Sequence, residues 1–146
     1  MAEATTLVTG EQIKAIRDNA AAKAQLDNAT RNAGSRVSVA IGDVGRESGS
    51  ASSVAALLEA HMIENILDRL KDTVDGKNKT KPVSMEAVGY AISQIDPDKN
   101  YTALRQAVGM EDREYQLSAD LRERLKLDFE KTALEESARN TGMMVS

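Results

Sequence analysis

An all-α fold, with a helical hairpin body, an N-terminal helical arm and a long C-terminal helix, is predicted by three features of the chain. Only two prolines occur in 146 residues, so little punctuates the sequence, whereas a many-stranded β fold needs frequent turns. Aromatic residues make up only 3% of the chain, with one Phe, three Tyr and no Trp, so the core must be Leu, Ile, Val, Met and Ala, which suit close helix packing. Between Val54 and Val74 an apolar residue recurs every four positions (Val54, Leu58, Met62, Ile66, Leu70, Val74), flanked by Leu57, Ile63 and Leu67. The length accommodates one domain with extensions. Three segments are expected: an arm and Gly/Ser hinge over 1–52, a helical core over 53–110, and a C-terminal helix with a tail over 111–146.

Thr9 and Gln12 stand at capping-box spacing, so a helix begins after Thr9. Its alanines favour helix, but Ile13, Ile16 and Leu26 make only a thin apolar stripe, which needs another helix or another subunit to cover it. "GSRVSVAIGDVGRESGSASS", Gly34 to Ser53, holds four of the nine glycines, and Val37, Val39 and Ile41 alternate with small residues. That pattern predicts a short extended piece followed by a flexible connector, hence the hinge.

The core helix runs from Ser53 to about Asp75 and ends near Gly76. Ser84 reads as the N-cap of a second, shorter helix, with Val83 and Val88 at hydrophobic-staple spacing and Asp96-Pro97 as its stop. A third short helix buries Leu104 and Val108 and closes at Gly109. From Glu111 to Arg139 charge is dense, and Leu117, Leu121, Leu125 and Phe129 form one row, the expected oligomer interface.

Few classes of chemistry survive this reading. The chain has no cysteine, which removes disulfides, thiolate metal sites and cysteine nucleophiles. Its single histidine, His61, borders the core stripe with no nucleophile motif nearby, and is read as a packing residue. "GDVGRESG" lacks the lysine of a phosphate loop, "DPDKNY" lacks the glycine and terminal glutamate of a calcium loop, and Glu64 and Asp68 are read as a solvated helix flank. The expectation is a protein that is not an enzyme, with no catalytic residues, no metal and no cofactor. The N-terminus has neither the basic nor the apolar region of a secretory signal, and no run is long enough to span a membrane, so a cytoplasmic (bacterial host) or virion location is expected.

Net charge is −4, yet Lys77, Lys79 and Lys81 cluster in the loop before Pro82, with Arg69 and Lys71 just upstream. These lysines are the leading candidates to meet nucleic-acid phosphates, an effect multiplied if an oligomer repeats the loop. Arg36, with Arg31 and Arg46, forms a weaker second set. No aromatic side chain is interleaved, so stacking on single-stranded bases is not expected.

In layout, "LLEAH" (Leu57 to His61), "ILDRLKD" (Ile66 to Asp72) and "SMEAVGYAISQI" (Ser84 to Ile95) resemble the helical region of small terminase subunits from short-tailed phages: an apolar helix, a polar loop and a second short helix. The arm and the C-terminal helix have no counterpart in that resemblance. It implies a homo-oligomeric subunit that binds double-stranded viral DNA and hands it to a large terminase subunit. The alternative is a helical virion or assembly/scaffolding protein that binds only protein.

Overall fold

The computed structural model describes residues 7–77, 83–95, 101–110 and 123–124. Among them the fold is all-α, with five helices: α1 (Gly10–Asp18), α2 (Ala20–Arg46), α3 (Ala51–Val74), α4 (Met85–Ile95) and α5 (Thr102–Ala107). The expected C-terminal row of Leu117, Leu121, Leu125 and Phe129 lies outside the described residues.

The first helix starts as its sequence demands. Gln12 N–H donates to Thr9 Oγ1 at 3.2 Å, and Thr9 N–H donates to Gln12 Oε1 at 2.8 Å, closing the capping box. The arm then breaks at Asn19, whose extended backbone ends α1 and whose side chain accepts from Ala22 N–H at 3.1 Å to begin α2.

The 27-residue α2 overturns the expected extended piece and hinge. Residues 34–46 are its second half, and the chain turns only over 47–50. Glycine weakens a helix by roughly 1 kcal/mol per residue, so local propensity at Gly34, Gly42 and Gly45 argues against helix. Packing wins: Val37 and Ala40 are buried against Ala60, with Leu57 alongside.

That contact belongs to an antiparallel seam. Lys23 pairs with Asp75 at 3.7 Å, and Lys71 with Asp27 at 3.6 Å. Further along, a Cβ added at Gly34 would lie 3.7 Å from Glu64 Oε2, and Val37 and Ala40 then meet Ala60. The buried positions of α2 are Ala22, Leu26, Ala29, Ala33, Val37 and Ala40, and those of α3 are Ser53, Ala60, Ile63, Leu67, Leu70 and Val74. Both sets alternate three and four residues apart, the spacing of helices packed at a shallow angle. The four-residue row anticipated for α3 is therefore displaced: Met62 and Ile66 are only partly buried, while Ile63 and Leu67 are fully buried. Alanine on α2 faces Leu and Ile on α3, so small meets large across the seam.

Around one end of this pair the other helices collect. α4 is buried through Met85, Val88, Gly89, Tyr90, Ala91 and Ile92, nearly its whole circumference. Ser84 caps it by accepting from Ala87 N–H at 3.1 Å, and Val83 and Val88 are both in the core, as the staple requires. Val8 N–H donates to Val83 O at 2.8 Å, fastening the start of the chain beside α4. α5 contributes Leu104 and Val108, both fully buried.

Three helix ends share one chemistry. After α3, Lys77 N–H reaches Asp72 O at 2.7 Å and Gly76 N–H reaches Thr73 O at 3.1 Å; after α5, Met110 N–H reaches Arg105 O at 2.8 Å and Gly109 N–H reaches Gln106 O at 3.0 Å. These are Schellman closures with glycine in the left-handed conformation, at φ 77° and 78°. After α2, Gly49 N–H reaches Val44 O at 2.9 Å, but the left-handed residue at the equivalent place is Ser48, φ 56°.

Two stability changes follow. Ser48→Gly relieves a left-handed serine and is expected to raise unfolding free energy by about 0.5–1 kcal/mol in denaturant titration, after the entropy of the freer unfolded chain is subtracted. Ala29→Leu forces a large side chain into a small-on-large seam and is expected to lower it by about 1–3 kcal/mol.

Candidate functional site

The predicted basic site rests on the end of α3. Lys77 follows Gly76 directly and is exposed, and its own N–H takes part in the closure of the helix. Its backbone is thus anchored to a rigid helix while its side chain faces solvent, with no ion pair among the described residues. Lys79 and Lys81 lie outside the described residues.

Arg36 is placed differently from the expectation. It is half-buried on α2, and its Nη1 donates to the carbonyl of Gln94 in the last turn of α4. That carbonyl is one of the four left without an intrahelical partner at a helix C-terminus, where a cation is also favoured by the helix dipole. Arg17 does the same for α3, donating from Nε to Val74 O at 2.8 Å. The other members of the second set also have settled positions. Arg46 pairs with Asp43 within its own helix, and Arg31 is exposed on α2. Upstream of the lysine loop, Lys71 pairs with Asp27. Arg17, Lys23, Lys71 and Lys77 thus lie about the end of α3, whereas Arg36 and Arg46 are held elsewhere.

The negative charge is more concentrated. Glu64, Asp68 and Asp72 follow one another at four-residue spacing along α3, Glu64 partly buried beside Gly34 and the other two exposed. Asp68 has its carboxyl held above the ordinary value of 3.8, first by partial desolvation, then by the charges of Glu64 and Asp72, with Lys71 opposing. No group of three or more His, Cys, Asp or Glu side chains is arranged to hold a metal ion among the described residues. His61 sits at the head of this row with half its side chain exposed, and its Nδ1 lies 3.5 Å from Glu64 Oε1. It is further toward solvent than a border packing position implies, and it faces a carboxylate, not a nucleophile.

Sequence reasoning missed the roles of Arg17 and Gln25. Gln25 Oε1, on α2, accepts from Leu104 N–H at 3.1 Å and so satisfies the first turn of α5 from another helix. No local signal marks such a partnership, because the two residues are 79 positions apart.

No helix among the described residues is long and apolar enough to cross a membrane. No family model matches the sequence, and no curated protein and no solved structure matches it either.

The acidic row makes a pH prediction. Because the folded-state pKa of Asp68 is raised, its contribution favours folding below the unfolded-state pKa and is lost as pH rises through the folded value. Asp68→Asn is therefore expected to raise the melting temperature at neutral pH. The gain should fade as pH falls below 3.8, where the wild-type carboxyl is protonated in both states. Thermal unfolding by circular dichroism across that range checks the sign.

Proposed function

We propose that this protein is a non-enzymatic, homo-oligomeric DNA-binding subunit of the phage genome-packaging (small terminase) kind, acting in the bacterial cytoplasm or in the virion. The observation that carries the reading is the mounting of the basic loop. Lys77 leaves a Schellman-closed helix end into solvent, and Lys79 and Lys81 follow it at alternate positions. A charged loop fixed at a rigid helix end presents its lysines to phosphates at a lower ordering cost than a free tail. Repetition around an oligomer multiplies that weak contact, which offsets the net charge of −4. Contact would be with the DNA backbone and largely independent of sequence. Strand transport would then fall to a partner such as a large terminase subunit.

A second reading, a helical virion or assembly protein that binds only protein, is favoured by a specific observation. Arg36, Arg46, Lys23 and Lys71 are engaged within the chain, and Asp68 and Asp72 are exposed one turn apart on α3. An acidic outer face repels a phosphate backbone.

Binding to a duplex of random sequence, measured by fluorescence anisotropy across a salt series, separates the two. The DNA reading expects an affinity that falls steeply with salt, and a slope reduced by about one for each lysine neutralised in Lys77→Ala, Lys79→Ala and Lys81→Ala. Arg36→Gln is expected to lower stability by about 1–3 kcal/mol while leaving the salt slope unchanged, since it removes the donor to the Gln94 carbonyl. An affinity indifferent to all three lysine changes, or no binding at low salt, selects the protein-only reading.

A further inference from the structure

We infer that the free end of the α2–α3 pair is a docking face for a second copy of this chain. The argument begins with what the body lacks there. Around Leu26, Leu67 and Leu70 the seam is covered by α1, α4 and α5, which share one buried cluster with it. Past Arg36, which reaches the last turn of α4, the pair continues without a third helix among the described residues, and its core shrinks to Val37, Ala40 and Ala60 with Leu57 beside them. Two helices in contact along one edge leave both broad faces to water, whereas stable helical architectures add another layer.

One of those faces is apolar. At about 100° per residue, Ile41 lies roughly 140° around α2 from Arg36, on the flank turned away from α4. Ile41 is 54% exposed. Ser38 and Gly45 share its flank and are small enough to let another helix approach. Val54 and Leu57, both only partly buried, border it from α3.

The charge pattern selects the occupant. From Val37 to Leu58 the only charged residues are Asp43, Arg46 and Glu47. Arg46 is paired with Asp43, and Glu47 Oε2 accepts from Ser50 and Ser53 hydroxyls at 3.1 and 2.9 Å. With no free cation, this face offers nothing to nucleic acid. With a net charge of only −1, it gives a strongly charged protein little to complement. It can, however, meet its own copy with little like-charge repulsion, and a two-fold interface requires such self-complementarity. Packing two such ends face to face makes a four-helix bundle.

The size is sufficient. A face about 15 Å long and two helices, or about 20 Å, wide removes roughly 500 Å² of accessible surface per copy, about 1,000 Å² in all, the lower bound for a specific interface. The expected dimer is accordingly weak. This inference rests on the self-association part of the proposed function and not on DNA contact, so loss of DNA binding and loss of dimerisation are separate results.

The test is sedimentation equilibrium of the full chain and its variants, up to about 100 μM, well above the micromolar dissociation constants of weak interfaces. Wild type is expected to dimerise, Ile41→Asp to weaken that association by about tenfold or more, and Val39→Asp, on the other side of α2 and 63% exposed, to leave it unchanged. Because the chain has no cysteine, Ser38→Cys provides a second readout in otherwise native protein: it should form a disulfide-linked dimer on mild oxidation, and Ser35→Cys should not. A wild-type monomer throughout the range, or association and cross-linking that ignore Ile41 and Ser38, overturns the proposal and places any self-association elsewhere on the chain.

Discussion

Alanine at positions 22, 29, 33 and 40 lets α2 lie close along α3, and nearly every other feature of the fold is arranged on that seam. Ile63, Leu67 and Leu70 project from α3 into the space the alanines leave, and all three are fully buried. At about 1.5–3 kcal/mol for each large apolar side chain removed from water, these residues outweigh the surface ion pairs at the edge of the seam, worth about 0–1 kcal/mol each. The pairs Lys23–Asp75 and Lys71–Asp27 therefore report the register and do not set it. The packing of alanines on α2 against large apolar residues on α3 sets it.

Three helix ends are held by a side chain from another helix. Arg17 of α1 reaches the end of α3, Arg36 of α2 reaches the end of α4, and Gln25 of α2 reaches the start of α5. Such contacts answer a geometric problem. A helix of six residues such as α5 leaves most of its backbone polar groups without intrahelical partners, and in a packed body those groups must find them in the neighbours. Gln12 shows the same economy on one side chain. Its Oε1 closes the capping box of α1, and its Nε2 lies 3.7 Å from Met85 Sδ of α4. A Cβ added at Gly109 would overlap that same amide, so glycine there serves both the left-handed closure of α5 and the approach of Gln12.

How much of this was legible in the sequence depends on whether the signal is local. The capping box at Thr9 and Gln12, the cap at Ser84, and the stops at Gly76 and Gly109 are governed by residues within one helical turn of each other, and each was readable. The second half of α2 was not. Its glycines and the alternation of Val37, Val39 and Ile41 describe a strand and a linker until Ala60 and Leu57 are brought against it. Only a chain partner twenty or so residues away makes the helical period the buried one. Arg36 is the corresponding lesson for the site. An arginine near a glycine-rich segment reads as available for phosphate, whereas a carbonyl 58 residues away already holds it. The lysine loop escapes this correction at Lys77, whose exposed position agrees with its reading as a surface group.

The same seam explains why function must be sought at the ends of the molecule. Toward the C-terminal end of α3 the ion pairs Lys23–Asp75 and Lys71–Asp27 and the exposed carboxylates of Asp68 and Asp72 give a charged, hydrated surface. A ligand binding there would have to strip water from those carboxylates, a cost that its other contacts must offset. That same end carries the exposed Lys77, while the opposite turn exposes Ile41 beside the small residues Ser38 and Gly45. Their separation by the length of α3, 24 residues or about 36 Å, keeps the electrostatic and the apolar surfaces from interfering with each other.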